Sequence, residues 1–175
     1  NTLLATKKRQ KKRSNMDWYI GIDNGVTGSI GIIGPDGTET KFYKTPVFKE
    51  ASYTKEEKNI SRVDVAELRK ILAGYPKDTT LVLLERPMVN PRRFTASMSA
   101  LRALEATLIV VEELGYTLRY IDSKEWQKVL LPKILGSDEL KAASLKLGQQ
   151  LFPGIKFKND ADSVLIAQWA KQSKL

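Results

Sequence analysis

The chain contains no cysteine and no histidine among its 175 residues. The first absence removes disulfide scaffolds and thiolate metal sites. The second removes Ser-His-Asp triads and histidine-ligated zinc. Any hydrolytic or metal chemistry therefore has to rest on carboxylates. Long apolar runs are also scarce: none approaches the roughly 20 residues of a membrane span, and the N-terminus lacks the apolar segment of a secretory signal. The expectation is an intracellular protein with no membrane partner. Its length suffices for one well-formed core and does not require a second. No internal repeat is present.

Positive charge is abundant but uneven. The formal net charge is +9, and six of those charges (Lys7, Lys8, Arg9, Lys11, Lys12, Arg13) lie in the first fifteen residues, which leaves +3 for the rest. The run KKRQKKR reads as part of a disordered basic arm over 1–15, with phosphate contact or an address signal as alternatives. Met16 stands just before the first strand-like segment, so residues 1–15 would be an upstream extension of a domain over 16–175.

Apolar runs at 17–23 (DWYIGID) and 28–34, joined by Asn24-Gly25, predict two strands, and ETKFYKT at 39–45 a third after the Gly34-Pro35-Asp36-Gly37 turn. Residues 46–61 are polar and weakly patterned and read as a loop. An amphipathic helix follows over 62–72. TTLVLLE at 79–85 has the continuous apolar profile of a strand covered on both faces. The Pro-containing stretch 86–94 leads into a long helix at about 97–114, where Leu101, Leu104, Leu108 and Val111 recur at three and four and Gly115 terminates. A strand at 116–122, a helix at 138–152 and a last helix at roughly 160–171 complete the chain. This order describes an α/β domain with a mixed sheet.

Its acids stand at particular places. Asp23 ends the first strand, Glu85 ends the apolar strand, and Asp160 and Asp162 open the last helix. Each has an ordinary explanation: a turn residue, a strand-end solvent group, first-turn helix acids favoured by the dipole. Together they suggest more, because carboxyl ends of adjacent parallel strands line a crevice over the core. Clustered carboxylates repel and raise one another's pKa values unless a cation compensates them. Magnesium prefers oxygen ligands and keeps waters for a phosphate substrate. Two such ions about 4 Å apart would activate a water and stabilise the departing oxygen in phosphodiester cleavage.

The segments IGIDNGVTGSIG, LLERP at 83–87, RRFTASMSALRALEATL, YIDSKEWQK and NDADSVLIAQWA, in this order through most of 17–171, resemble the RuvC-type Holliday-junction resolvases, particularly their bacteriophage and chloroplast members. The resemblance implies an RNase H-like fold: a mixed central sheet with antiparallel first three strands, flanked by helices. It implies a homodimer that binds branched DNA, especially four-way junctions, and uses two Mg2+ ions per active site, with Mn2+ as a substitute, to cut symmetry-related strands. Asp23, Glu85 and Asp162 match the family's catalytic acids. Family members place a further acid three residues before the last one, where this chain has Asn159; Asp160 is two before. Residues two apart on a helix diverge by about 200°. Asp160 is therefore expected to contribute from a non-helical position, with Asn159 as the alternative ligand. The family would place the chain in the cytoplasm of a bacterial or phage-infected cell, or in an organelle.

Lys124, Lys128 and Lys141 stand approximately where resolvases keep lysines near the scissile phosphate, and Lys141 or Lys124 would stabilise transition-state charge. Arg86, Arg92 and Arg93 flank Glu85 and suit phosphate contacts. Phe94 is either a wedge against junction bases or a packed aromatic, and Trp126 is expected to be structural. Met98, Leu101, Leu104 and Leu108 offer a dimerisation face or pack on the sheet. The pattern D-x-G-x-T-G at 23–28 also resembles the phosphate turn of sugar kinases and actin-like ATPases, although this chain is short for their two domains. A non-catalytic branched-DNA-binding protein is the other alternative.

Overall fold

The computed structural model describes residues 16–133 and 136–175; the predicted arm over 1–15 lies outside them. The first three strands, β1 (Trp18–Asp23), β2 (Ser29–Ile33) and β3 (Thr40–Lys44), form the expected antiparallel meander. A separate hairpin of β4 (Val47–Ala51) and β5 (Asn59–Val63) precedes helix α1 (Val65–Leu72). Next come β6 (Thr80–Glu85), the long helix α2 (Phe94–Leu114) and β7 (Thr117–Ile121). Helices α3 (Ser123–Leu130), α4 (Ser137–Leu151) and α5 (Asp162–Gln172) close the described chain. β6 joins β1 in parallel and β7 joins β6 in parallel, giving one five-stranded sheet in the order β3-β2-β1-β6-β7.

Strand side chains alternate between faces, so each strand feeds two cores. Ile20, Ile22, Val82 and Leu84 pack with Leu68, Leu72, Val110 and Val111 beneath α1 and α2. Tyr19, Leu81 and Leu83 pack on the other face with Trp126, Leu165 and Ile166 beneath α3 and α5. The apolar run of β6 is continuous because both of its faces are covered. Full burial of each aliphatic side chain contributes about 1.5–3 kcal/mol relative to exposure.

Helix α5 lies against β1 and β2 at unusually short range. A methyl group at Gly21 would sit 2.1 Å from the Ser163 carbonyl oxygen, and one at Gly31 only 2.4 Å from the Val164 Cα. Only glycine admits that approach. Ser29 Oγ donates to Ser163 Oγ at 2.8 Å in the same buried seam. The first turn of α5 is thereby pressed onto the sheet beside the end of β1.

Several boundaries differ from the sequence expectation. The stretch 46–61 contains most of the β4–β5 hairpin rather than a loop; every residue of β4 is exposed, so burial leaves no alternating pattern to read. Backbone pairing and an Arg62–Glu50 ion pair at 2.6 Å hold it. Arg62 and Val63 belong to β5, and α1 starts only after Asp64, whose Oδ1 accepts the Glu67 N–H at 3.0 Å. α2 begins at Phe94, three residues earlier than predicted, after a 3-10 turn over Pro91–Arg93, and ends at Gly115 with φ 71° as expected. α3 was not predicted. The expectation that nothing approaches membrane-span length is also corrected: the 24-residue stretch Pro91–Leu114 is long and apolar enough by length and composition. Here Ala103, Val110 and Val111 of that helix are buried in the core.

Candidate metal centre

Register and side-chain alternation bring the first two acids together. Ile22 of β1 is opposite Leu84 of β6, so Asp23 and Glu85 end adjacent parallel strands. Both belong to the set of alternate residues facing α5, in step with Tyr19 and Gly21 and with Leu81 and Leu83. The close seat of α5 on Gly21 delivers the third and fourth. Asp162 is its first residue, and Asp160 precedes the non-helical cap Ala161, which has φ −119° and ψ 20°. Asp160 thus escapes the divergence that two helical residues would show, as expected, and its Oδ1 accepts the Asp162 N–H at 3.2 Å. One carboxylate oxygen from each of Asp23, Asp160 and Asp162 lies within 4.8 Å of the others, an arrangement able to hold one metal ion.

Like charges in a partly buried place perturb each other. Burial pushes the Asp23 carboxyl well above the usual range, and Glu85, Asp162 and Asp160 push it further. Glu85 is raised chiefly by burial, against the opposing pull of hydrogen-bonding groups on Asp23 and Trp126, with Asp160 and Asp122 pushing it further up. Asp162 is pushed up to about 7, by burial first, then by Asp160 and Glu85, against the opposing pull of Ser144 and Lys141. Without a cation the cluster holds protons near neutrality. A divalent cation would replace them.

Two supporting groups escaped the sequence reading. Ser144, buried on α4, donates a short hydrogen bond to Asp162 Oδ1, and its Oγ accepts the Ala161 N–H at 3.1 Å. Gly148, one turn further on the same helix, leaves room for Ala161, whose Cβ lies 2.2 Å from where a Gly148 methyl would stand. A small residue four before a glycine is the available signal, and it is weak. Trp126 is fully buried, in agreement with a structural role, and its indole favours the charged form of Glu85.

The remaining residues take varied places. Lys141, exposed on α4, lies near enough to Asp162 to favour its charged form. Lys124 and Lys128, one turn apart on α3, line a surface groove with Lys133 and Leu140. Arg86 is paired with Asp122 at 3.1 Å and lies 5.4 Å from the Tyr120 ring centre. Arg92 and Arg93 are exposed on the 3-10 turn capped by Asn90. Phe94 is 71% exposed, so it is not a packed aromatic in this chain. Asn159 is exposed and shares a shallow cleft with Asp160, Lys44 and Lys158, two lysines that sequence reasoning did not single out.

Topology and site together define an RNase H-like fold, a mixed sheet whose first three strands are antiparallel, with acids at the ends of the central pair. Among solved structures, the chain is similar to Thermus thermophilus RuvC in complex with a Holliday junction substrate, with a TM-score of 0.57 and 17% identity over 89% of this chain and 92% of that one. It is similar also to a second Thermus thermophilus RuvC structure, with a TM-score of 0.54 and 15% identity over 89% and 96% of the two chains. No protein-family model and no curated protein matches the sequence. The likeness is one of fold, distant in sequence.

Proposed function

We propose that this chain is a magnesium-dependent endonuclease that resolves four-way DNA junctions by paired symmetric nicks, acting as a homodimer. The observation that carries the proposal is the meeting of Asp23, Asp160 and Asp162 within 4.8 Å, at the end of the strand pair that also presents Glu85. The donor set fits magnesium: it consists of oxygens only, it is partly buried, and burial raises the pKa values of Asp23, Glu85 and Asp162, which a cation would relieve. Asp23, Asp160, Asp162 and Glu85 would hold two such ions, with Asn159 at the edge and Mn2+ able to substitute. When bound, the ions supply an activated water and neutralise the departing oxygen.

The chain's own groups do the rest. Ser144 fixes Asp162 by hydrogen bond. Lys141, beside Asp162, offers a positive charge to the phosphate where negative charge develops. Arg92, Arg93, Lys124 and Lys128 would hold backbone phosphates around the acids, and Arg86 would do so on leaving Asp122. Phe94 would stack on bases opened at the branch point. The similarity in fold to a resolvase solved with its junction supports DNA as the substrate. Two symmetric cuts require two sites, and the exposed Met98, Leu101 and Ile109 on α2 offer a self-complementary face for a two-fold dimer.

The test is incubation with labelled four-way junction, fork, flap, duplex and RNA–DNA hybrid, with and without Mg2+. Paired nicks at symmetric positions in the junction, dependent on Mg2+, are expected. Hybrid-specific cutting would replace the proposal by an RNase H activity, ATP hydrolysis without DNA cleavage by an actin-like one, and junction binding without any cut by a non-catalytic role.

A further inference from the structure

Two exposed aromatics stand on separate elements that leave the sheet at its acid end. Tyr53, in the turn of the β4–β5 hairpin, is 67% exposed, and Phe94, which opens α2, is 71% exposed. Lys44, the last residue of β3, is in register with Ser29, and Ser29 with Asp23, so the chain departs for the hairpin from the row that carries the first acid. It departs for α2 directly after Glu85, through 86–93. β5 then packs against α2 and brings the two arms together. Between them lies an open cleft of about 330 Å3, with Tyr53, Ile60, Phe94, Met98 and Arg102 in its walls. Phe94, Met98 and Arg102 recur at four and so share one face of α2.

Tyr53 is held in place there. Arg102 Nη1 donates to its hydroxyl oxygen at 2.8 Å, and the guanidinium carbon lies 5.7 Å from the ring centre. Fixing an exposed side chain costs conformational entropy, and here little burial offsets it. A flat occupant laid on the ring would supply that burial. The surrounding charge selects its chemistry. Arg102 stands in the wall, Arg92 and Arg93 immediately precede Phe94, and the first turn of α2 carries no acid. Glu56, the acid in the wall, is ion-paired with Lys58. Aromatic faces stack on any nucleobase, and cations beside them hold the attached phosphates. The volume, at the small end of the range of about 300–1,000 Å3 for ligand sites, suits a base and excludes a duplex.

We propose that the cleft between the β4–β5 hairpin and the start of α2 is a nucleobase-binding site, which takes one unpaired base of a DNA strand against Tyr53 and Phe94. Arg102 is a positioning residue that sets the Tyr53 ring. Because both arms spring from the acid end of the sheet, the strand that lodges a base here passes close to the acids. The hairpin thereby reads a disruption of base pairing beside the point of cutting. This inference deepens the nuclease reading above and rests on DNA being the substrate.

The experiment uses the full chain in EDTA, so that no cutting intervenes, with iododeoxyuridine placed in turn at each thymidine near the crossover of a four-way junction, in an oligothymidylate and in a matched duplex. Irradiation should join the junction and the single strand to Tyr53 or Phe94, located by mass spectrometry, and should not do so with the duplex. Tyr53→Ala should weaken binding to the junction and the single strand by about 5- to 150-fold, the worth of one stacked base. Arg102→Leu, which frees the ring without removing it, should weaken it less, and less again for the duplex. Cross-links that form only outside the cleft, with Tyr53→Ala binding as the parent does, would overturn the inference and leave the nuclease reading intact. A Tyr53→Ala chain that turns from dimer to monomer without DNA would overturn it too, by giving the cleft to a second copy seated through Met98. Cross-links at Tyr53 from a parent that cuts nothing in Mg2+ would keep the base site and overturn the nuclease reading. A parent that binds none of the three DNAs would overturn both.

Discussion

The two faces of the central sheet are built from the same strands and serve different ends. Toward α1 and α2, Ile20, Ile22, Ile30, Ile32, Val82 and Leu84 form an unbroken aliphatic surface. Toward α5 the same strands carry Tyr19, Leu81 and Leu83, but also Gly21 and Gly31, stripped of side chains so that a helix can approach, and finally Asp23 and Glu85. One face is packed for stability. The other is packed as closely but ends in a cluster of partly buried acids that repel one another, so these positions are expected to oppose folding.

Substitutions should therefore act in opposite directions on the two faces. The largest effect is expected for Asp23→Asn, which removes a central oxygen ligand: Mg2+-dependent cleavage should fall to background in a junction assay. The same variant should melt at a higher temperature than the parent in EDTA at pH 8, because it removes a buried carboxyl whose charged form is disfavoured. Ile20→Ala on the aliphatic face should do the reverse. It should lower stability by about 2–5 kcal/mol in denaturant titration, while cleavage per folded molecule survives well below the melting temperature.

The pH dependence of stability sharpens the contrast further. Asp162 has its folded pKa raised to about 7, above an unfolded value near 3.8, so the folded state binds more protons across that interval. Stability of the metal-free protein should accordingly be full below about pH 4 as far as this group is concerned, and decline as pH rises toward 7. Mg2+ should raise the melting temperature more at pH 8 than at pH 5, where protons compete for the same oxygens. A melting temperature independent of both pH and Mg2+ would contradict the coupling. The smallest effect on folding belongs to Phe94→Ala, within about 0.5 kcal/mol for so exposed a side chain. Its expected signature is weaker binding to four-way junctions with little change on duplex.

How much of this was legible in the sequence follows from how each feature is encoded. The meander, the apolar β6 and the long α2 carry strong patterns, and their boundaries put Asp23 and Glu85 at strand ends; that the two strands are neighbours is set by sheet order, which the sequence pattern does not record. The sequence pattern starts the last helix at about 160, and a non-helical N-cap place for Asp160 followed only from joining helix periodicity to the resemblance; in the structure the cap is Ala161 and Asp160 precedes it. The β4–β5 hairpin was missed because a two-stranded ribbon with exposed residues, such as Val47 and Phe48, leaves no alternation. α3 was missed because it is eight residues long and only Trp126 is fully buried. The contact of Ser144 with Asp162 is set by packing between helices distant in sequence, which residue spacing does not record.

The central claim is that the chain folds one face of its sheet around a divalent cation. Crystals of the protein soaked with Mn2+ and measured at the manganese absorption edge test it directly. The account predicts an anomalous peak coordinated jointly by Asp23, Asp160 and Asp162, absent in Asp23→Asn. A soaked crystal with no ion among these carboxylates, from protein that still cuts junctions in Mn2+, would contradict it.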